Sequence, residues 1–198
     1  MITLFFQKNN VENIIKELEE KFTQEPSAEN DAKIFALATK AYELAPEDGQ
    51  VIYILAQCYD LAIGVAENID KALELYEKLT KNNAFDCDAD FQYKLAKVYE
   101  KKGNDNCILW YYRASVNGDQ WSTYYVGSLL LEGNLMNDIP YQSKYQLAMK
   151  FLNKAANMTD DIEIANLAKD KINLNTVENK IRLLEIEKQQ KIMSVINI

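Results

Sequence analysis

One pattern of helical length is written three times between Tyr53 and Ala156, and it constrains the fold more than any other feature of the chain. Tyr53, Leu55, Ala56 and Tyr59 return as Tyr93, Leu95, Ala96 and Tyr99, and again as Tyr124, Val126, Gly127 and Leu130. Each set is followed by a second apolar segment: Ala72, Leu75, Tyr76 and Leu79; then Cys107, Trp110, Tyr111 and Ala114; then Ala148, Phe151, Leu152 and Ala155. A single helix pair cannot bury its apolar stripe alone, so this recurrence predicts stacked helix-turn-helix units that share a continuous core. The tyrosines that open the three sets stand 40 and then 31 positions apart. Turns of variable length between helices of fixed register are what insertions along one edge of such a stack produce. The expected fold is an all-α solenoid, counted as one domain.

The flanks read as helical caps. Asn9 with Glu12 marks a helix start, after which Val11, Ile14, Ile15, Leu18 and Phe22 share one face, with Phe5 or Phe6 folded onto it and Pro26 as the stop. A second helix is expected from Ser27 or Asn30, carrying Ala32, Ile34, Phe35, Ala38 and Tyr42 and ending at Pro46, Asp48 and Gly49. Residues 1–49 thus form N-terminal capping helices or a degenerate repeat. The repeats span 50–174. Within them, Gly64 supplies a left-handed turn residue, Gly103 to Asp105 a short turn, and Glu132 to Ser143 a long insertion. Asp160 to Ile172 reads as a further first helix. Asn175 with Glu178 is expected to cap a separate last helix over 175–198, whose Ile192, Met193, Val195 and Ile196 are numerous for an exposed end. Covering the last repeat and projecting to a partner are both open to this tail.

Thirty acidic against twenty-two basic side chains give a net charge of -8, which repels a nucleic-acid backbone and suits a basic protein partner. Cys58, Cys87 and Cys107 form no CxxC pair, so a reduced compartment is expected. The apolar opening Met1 to Phe6 is too short for a secretory segment or a membrane span. A cytoplasmic protein with no membrane association is the expectation.

The segment YILAQCYDLAIGVAENIDKALELYEKL, Tyr53 to Leu79, resembles the Sel-one-like repeats, relatives of tetratricopeptide repeats with longer and less uniform units. Asn117-Gly118 followed by Tyr124-Tyr-Val-Gly127, with Phe151-Leu-Asn-Lys-Ala-Ala156, is a second match, and the resemblance runs from Gln50 to Ile172. The second repeat departs from the pattern, having a shorter turn and Cys107 where alanine is usual. The resemblance implies right-handed α-α superhelical stacking and protein binding on the concave face lined by first helices. It implies no shared enzymatic reaction.

Histidine is absent, which removes the commonest general base and transition-metal ligand. No GxSxG, GxxxxGK[ST] or GxGxxG occurs. Asp86, Asp88 and Asp90 resemble the start of a calcium loop, but Phe91 replaces the turn glycine and Lys97 the bidentate glutamate, so an acidic turn with Asp88 or Asp90 capping the next helix is expected. No catalytic residue, cofactor or metal site is predicted. Two features remain as partner-binding candidates. Trp121 and Tyr125 fall outside the recurring core positions and are candidate exposed anchors. Lys94, Lys97 and Lys101 lie at i, i+3 and i+7 of one first helix, in register with Ile54, Gln57 and Leu61 before them and Tyr125, Ser128 and Glu132 after, as a positive stripe that would receive an acidic segment, with Gln57 as a further partner-binding candidate beside it. Three functional readings follow: a non-catalytic protein-interaction scaffold, with a cytoplasmic immunity protein that neutralises a basic toxin or effector as its sharper form; a carboxylate-based enzyme; and a structural oligomer joined through the last helix.

Overall fold

The computed structural model describes residues 2–81, 85–132 and 140–196. Among them the regular structure is entirely helical: α1 (Ile2–Phe22), α2 (Ala28–Leu44), α3 (Gly49–Asp60), α4 (Ile69–Leu79), α5 (Ala89–Lys101), α6 (Cys107–Val116), α7 (Gln120–Glu132), α8 (Tyr141–Asn157) and α9 (Ile162–Ile196). The chain divides into two compact units, Met1–Trp110 and Tyr111–Ile198. In the first, each of α2 to α5 packs on the helix before it; in the second, α7, α8 and α9 pack mutually. These are the helix pairs of an α-solenoid.

The first helices of successive pairs start the same way. Asp48 Oδ1 accepts the backbone N–H groups of Gln50 (3.0 Å) and Val51 (3.1 Å), and Asp88 Oδ1 that of Phe91 (3.0 Å). Asp119 Oδ1 accepts from Ser122 (2.5 Å), and Asp161 Oδ1 from Glu163 (2.9 Å) and Ile164 (3.3 Å). A carboxylate here satisfies amides that have no helical partner and complements the positive helix end. Asp88, one of the two expected caps, is the residue used. The other acids of the calcium-like triplet are also engaged: Asp86 through its carbonyl with Gln92 Nε2 (2.6 Å), and Asp90 through its carboxylate with Lys94 (2.5 Å).

The recurring positions form the core. Leu55, Ala56, Ala72, Leu75, Tyr76 and Leu79 are buried in the first repeat, Leu95, Ala96, Tyr99, Cys107, Tyr111 and Ala114 in the second, and Val126, Leu130, Ala148, Leu152 and Ala155 in the third. Gly127 sits at a close approach of α7 to α8, since a Cβ there would lie 2.7 Å from Leu152 Cγ and 3.1 Å from Ala148 O. Gly64 adopts φ +67, and its turn lies directly on the α2 backbone, with a Cβ position only 2.1 Å from Asp31 O.

Four expectations need correction or lie outside the described residues. The first helix begins at Ile2, not near Asn9. The side chains of Phe5, Phe6, Ile192, Met193, Val195 and Ile196 lie outside the described ones. Residues 133–139 of the expected insertion do so too, and α8 already starts at Tyr141, inside the span assigned to the loop. Asn175 caps nothing: α9 runs unbroken through it, and its Nδ2 donates back to Lys171 O at 2.8 Å. Neither glycine nor proline occurs between 162 and 196, so no residue there forces a break.

Candidate functional site

The lysine row of α5 is fastened to α3. Tyr53 Oη donates to Asp90 Oδ2, and Lys94 Nζ donates to the same carboxylate oxygen (2.5 Å) and to Tyr53 Oη (3.0 Å), with the ammonium 5.4 Å from the Tyr53 ring centre. Lys97 Nζ donates to Glu100 Oε2 at 2.6 Å. Lys101 Nζ donates to Asp60 Oδ1 (2.7 Å), Asp60 O (3.2 Å) and Glu67 Oε1 (2.9 Å). Gln57, on α3, is half-buried. Three ammonium groups therefore face four carboxylates, those of Asp60, Glu67, Asp90 and Glu100, so the row carries no positive excess of its own.

The local electrostatics follow from this pairing. Burial works against charge on Asp90, but the hydrogen bonds from Lys94 and Tyr53 outweigh it and hold the carboxyl below its usual range. Burial likewise opposes charge on Lys101, and its bonds to Asp60 and Glu67 override it, raising the ammonium above its ordinary value. Tyr53 and Tyr76 are both raised, first by burial and then by neighbouring carboxylates. Burial pushes the Cys58 thiol up to about 12. These shifts favour neutral tyrosine and thiol and charged, paired lysine and aspartate, the reverse of what an activated nucleophile or base requires. Among the described residues no group of three or more Cys, Asp or Glu side chains is placed to hold a metal ion.

Trp121 and Tyr125 belong to the second unit, on α7. They are half-buried, not freely exposed as the sequence suggested. The Tyr125 ring stacks on Tyr111 (5.0 Å between centres, 21° between planes) and on Trp121 (6.0 Å, 25°), and Tyr124 meets its edge at 5.7 Å. The helix is held in register by Thr123 Oγ1, which donates to Asp119 O (2.7 Å) and lies 2.8 Å from Ser115 Oγ. The result is a short aromatic ladder, partly open to solvent. Of the positions in register with Lys97 and Lys101, Ser128 is buried and Glu132 accepts from Lys171. The six candidate residues thus fall into two groups, Gln57 and the lysines in one unit and Trp121 with Tyr125 in the other.

One residue that the repeat pattern left unmarked organises the second unit. Gln120, buried at the start of α7, donates through Nε2 to Asp161 O (2.9 Å), Ala155 O (3.1 Å) and Met158 O (3.4 Å), and its Oε1 accepts from the Asp161 N–H (2.8 Å). It ties the α8–α9 turn back to the start of α7.

Helix pairs opened by aspartate caps and closed by apolar second helices define an all-helical repeat fold. Solved structures similar to this chain include a protective antigen present in uropathogenic Escherichia coli strains displaying an SLR fold, with TM-score 0.46 and 23% identity over 61% of this chain and 25% of that one. A Sel1 repeat protein from Oxalobacter formigenes is similar at TM-score 0.44 and 16% identity, over 75% of this chain and 68% of that one. This chain therefore spans a quarter of the length of the first of these. No family model and no curated protein matches it. No helix among the described residues is long and apolar enough to cross a membrane.

Proposed function

We propose that the protein is a non-catalytic interaction scaffold that binds a protein partner through its first helices, with the Trp121–Tyr125 ladder as anchor. The observation that carries this reading is the ladder itself. Stacking fixes both rings before any partner arrives, so little side-chain entropy is lost on binding, and large aromatic groups at an interface contribute more energy than other types. Lys94, Lys97, Lys101 and Gln57 form the second contact region. Because the lysines are already paired, their role is to orient an incoming segment by exchanging partners, and long-range attraction comes from the net charge of -8. That charge favours a basic partner. A dedicated cytoplasmic inhibitor of one basic toxin is the finer form of the reading.

Affinity capture from lysate of the source organism tests it, using the intact chain, a Trp121→Ala/Tyr125→Ala variant and a Lys94→Glu/Lys97→Glu variant, each with an unchanged helical circular dichroism spectrum. Loss of one dominant partner in the aromatic variant is expected. Equal recovery by all three forms would move binding away from the first helices.

A further inference from the structure

The distal half of α9 carries an apolar seam that nothing among the described residues covers. Leu174, Val177, Ile181 and Leu184 are 58%, 57%, 53% and 65% exposed and follow one another at spacings of three, four and three residues. That is the a/d spacing of a coiled coil, with Leu174 and Ile181 at a and Val177 and Leu184 at d. The side of α9 that packs within its own unit is a different one. Ile164, Ala165 and Ala168 are buried, Lys171, Ile172, Asn175, Thr176 and Asn179 are half-buried, and the Arg182 guanidinium lies 3.9 Å from the centre of the Tyr141 ring of α8. At about 100° per residue these positions centre roughly 160° around the helix from the seam. A second helix can therefore lie along the seam without displacing α8.

We propose that this seam is a self-association surface on which a second copy of the chain forms a parallel, in-register two-helix coiled coil. The charges flanking the seam select the occupant and its direction. Lys180 falls at g, and Glu178 and Glu185 fall at e. In a parallel pair each g residue faces the e residue five positions further along the other helix, so Lys180 of each copy meets Glu185 of the other, twice per dimer. In an antiparallel pair g faces g and e faces e, which opposes lysine to lysine and glutamate to glutamate. The first turns of α9 are already held by α7 and α8, so the helix need not be nucleated on association, which removes part of the ordering cost a free peptide would bear. Lys188 occupies the next a position and closes the apolar run. A seam of two heptads is small for a specific interface, so the dimer is expected to be reversible and to dissociate on dilution through the micromolar range.

Sedimentation velocity of the intact chain from about 5 to 500 μM tests the proposal, the range being set by that expected affinity. A rise from monomer to dimer is expected, and a monomer throughout overturns the inference. Val177→Glu/Leu184→Glu, at two exposed sites, should leave the thermal midpoint of the monomer unchanged and abolish the dimer; a dimer that persists overturns it as well. Lys180→Glu alone and Glu185→Lys alone should each weaken the dimer, and an equimolar mixture of the two should restore it as a heterodimer. Direction is read separately. Leu184→Cys in a Cys87→Ser background should give a disulfide-linked dimer under mild oxidation, and a dimer in solution that fails to link there overturns the parallel register.

Discussion

Gly64 and Gly103 adopt nearly the same left-handed backbone, φ +67 and +64, but differ in what surrounds them, which allows two energetic terms to be separated. An alanine Cβ at Gly103 meets nothing within 4 Å, whereas at Gly64 it would lie 2.1 Å from Asp31 O, 2.6 Å from Asp31 C and 2.9 Å from Ala32 Cα. The left-handed conformation costs a residue with a Cβ about 1–2 kcal/mol. Gly103→Ala should lose that much and no more. At Gly64 the obstructing atoms are α2 backbone and cannot rotate aside, so forcing the turn away from the helix adds a cost of about 1–3 kcal/mol, as overpacking in a core does. Gly64→Ala should therefore lose about 2–5 kcal/mol. Asparagine sharpens the contrast because it tolerates the left-handed region: Gly103→Asn should be almost neutral, and Gly64→Asn should remain as damaging as alanine. Urea denaturation followed by circular dichroism at 222 nm gives the four stabilities, with slopes checked for equality so that midpoint shifts report the folded state. Equal losses at the two positions would refute the claim that the turn of the first repeat rests on the α2 backbone.

Further expectations concern the polar ties. Gln120→Met keeps the length and volume of the side chain but removes its four hydrogen bonds, leaving the Asp161 N–H without its acceptor, and should cost about 2–4 kcal/mol by thermal or urea denaturation; a loss below about 0.5 kcal/mol would contradict the bridging role. Lys101→Met leaves the buried Asp60 carboxylate without its ammonium and should cost about 1–3 kcal/mol, less than a fully buried pair because Lys101 is partly exposed. The folded Lys101 is raised, so its contribution is complete below the ordinary lysine range and fades as pH climbs through the folded value; the variant and parent should converge in denaturation midpoint there. Of the three thiols, exposed Cys87 should react promptly with a disulfide reagent in the native protein, while Cys58, buried and pushed up to about 12, and buried Cys107 should react only on unfolding; fast labelling of Cys58 would show the core to be open.

What the sequence made legible was whatever repeats at helical spacing. Tyr76, Leu79, Leu95 and Tyr111 fall in the core because a stacked pair has only one way to hide an apolar stripe. The residues missed act across the stack. Lys94–Asp90 and Lys97–Glu100 sit four and three residues apart and follow the helical pairing rule, but Lys101 reaches Asp60 and Glu67 from 41 and 34 positions away, which no local rule exposes. A lysine row read without its distant carboxylates therefore looks more positive than it is. Gln120 has the same origin, since its partners lie 35 to 41 residues away and a lone glutamine at a helix start carries no signal of its own. The misplaced helix break had another cause. Asn175 with Glu178 has the form of a cap, but a capping side chain works only where the backbone leaves the helix, and an unbroken run of helix-compatible residues offered no reason to leave.

The two site groups show how one repeat register yields different surfaces. Lys94 and Tyr125 occupy equivalent positions on first helices, yet Lys94 closes a polar staple between α5 and α3 through Tyr53 and Asp90, while Tyr125 continues a stack through Tyr111 and Trp121. Disrupting the staple removes charge-assisted bonds that half-exposed groups can remake with water, so the thermodynamic cost is modest and a partner bearing its own charges can replace them. The ladder has no such substitute. Apolar rings that are half covered gain free energy only when a further surface completes their burial. On the proposed function the lysine row acts on the orientation of what it meets and the ladder on retention, each within its own unit. Salt separates the two roles: raising ionic strength should slow the association of a basic partner, which the net charge of -8 steers, while leaving the dissociation rate, governed by the ladder, nearly constant.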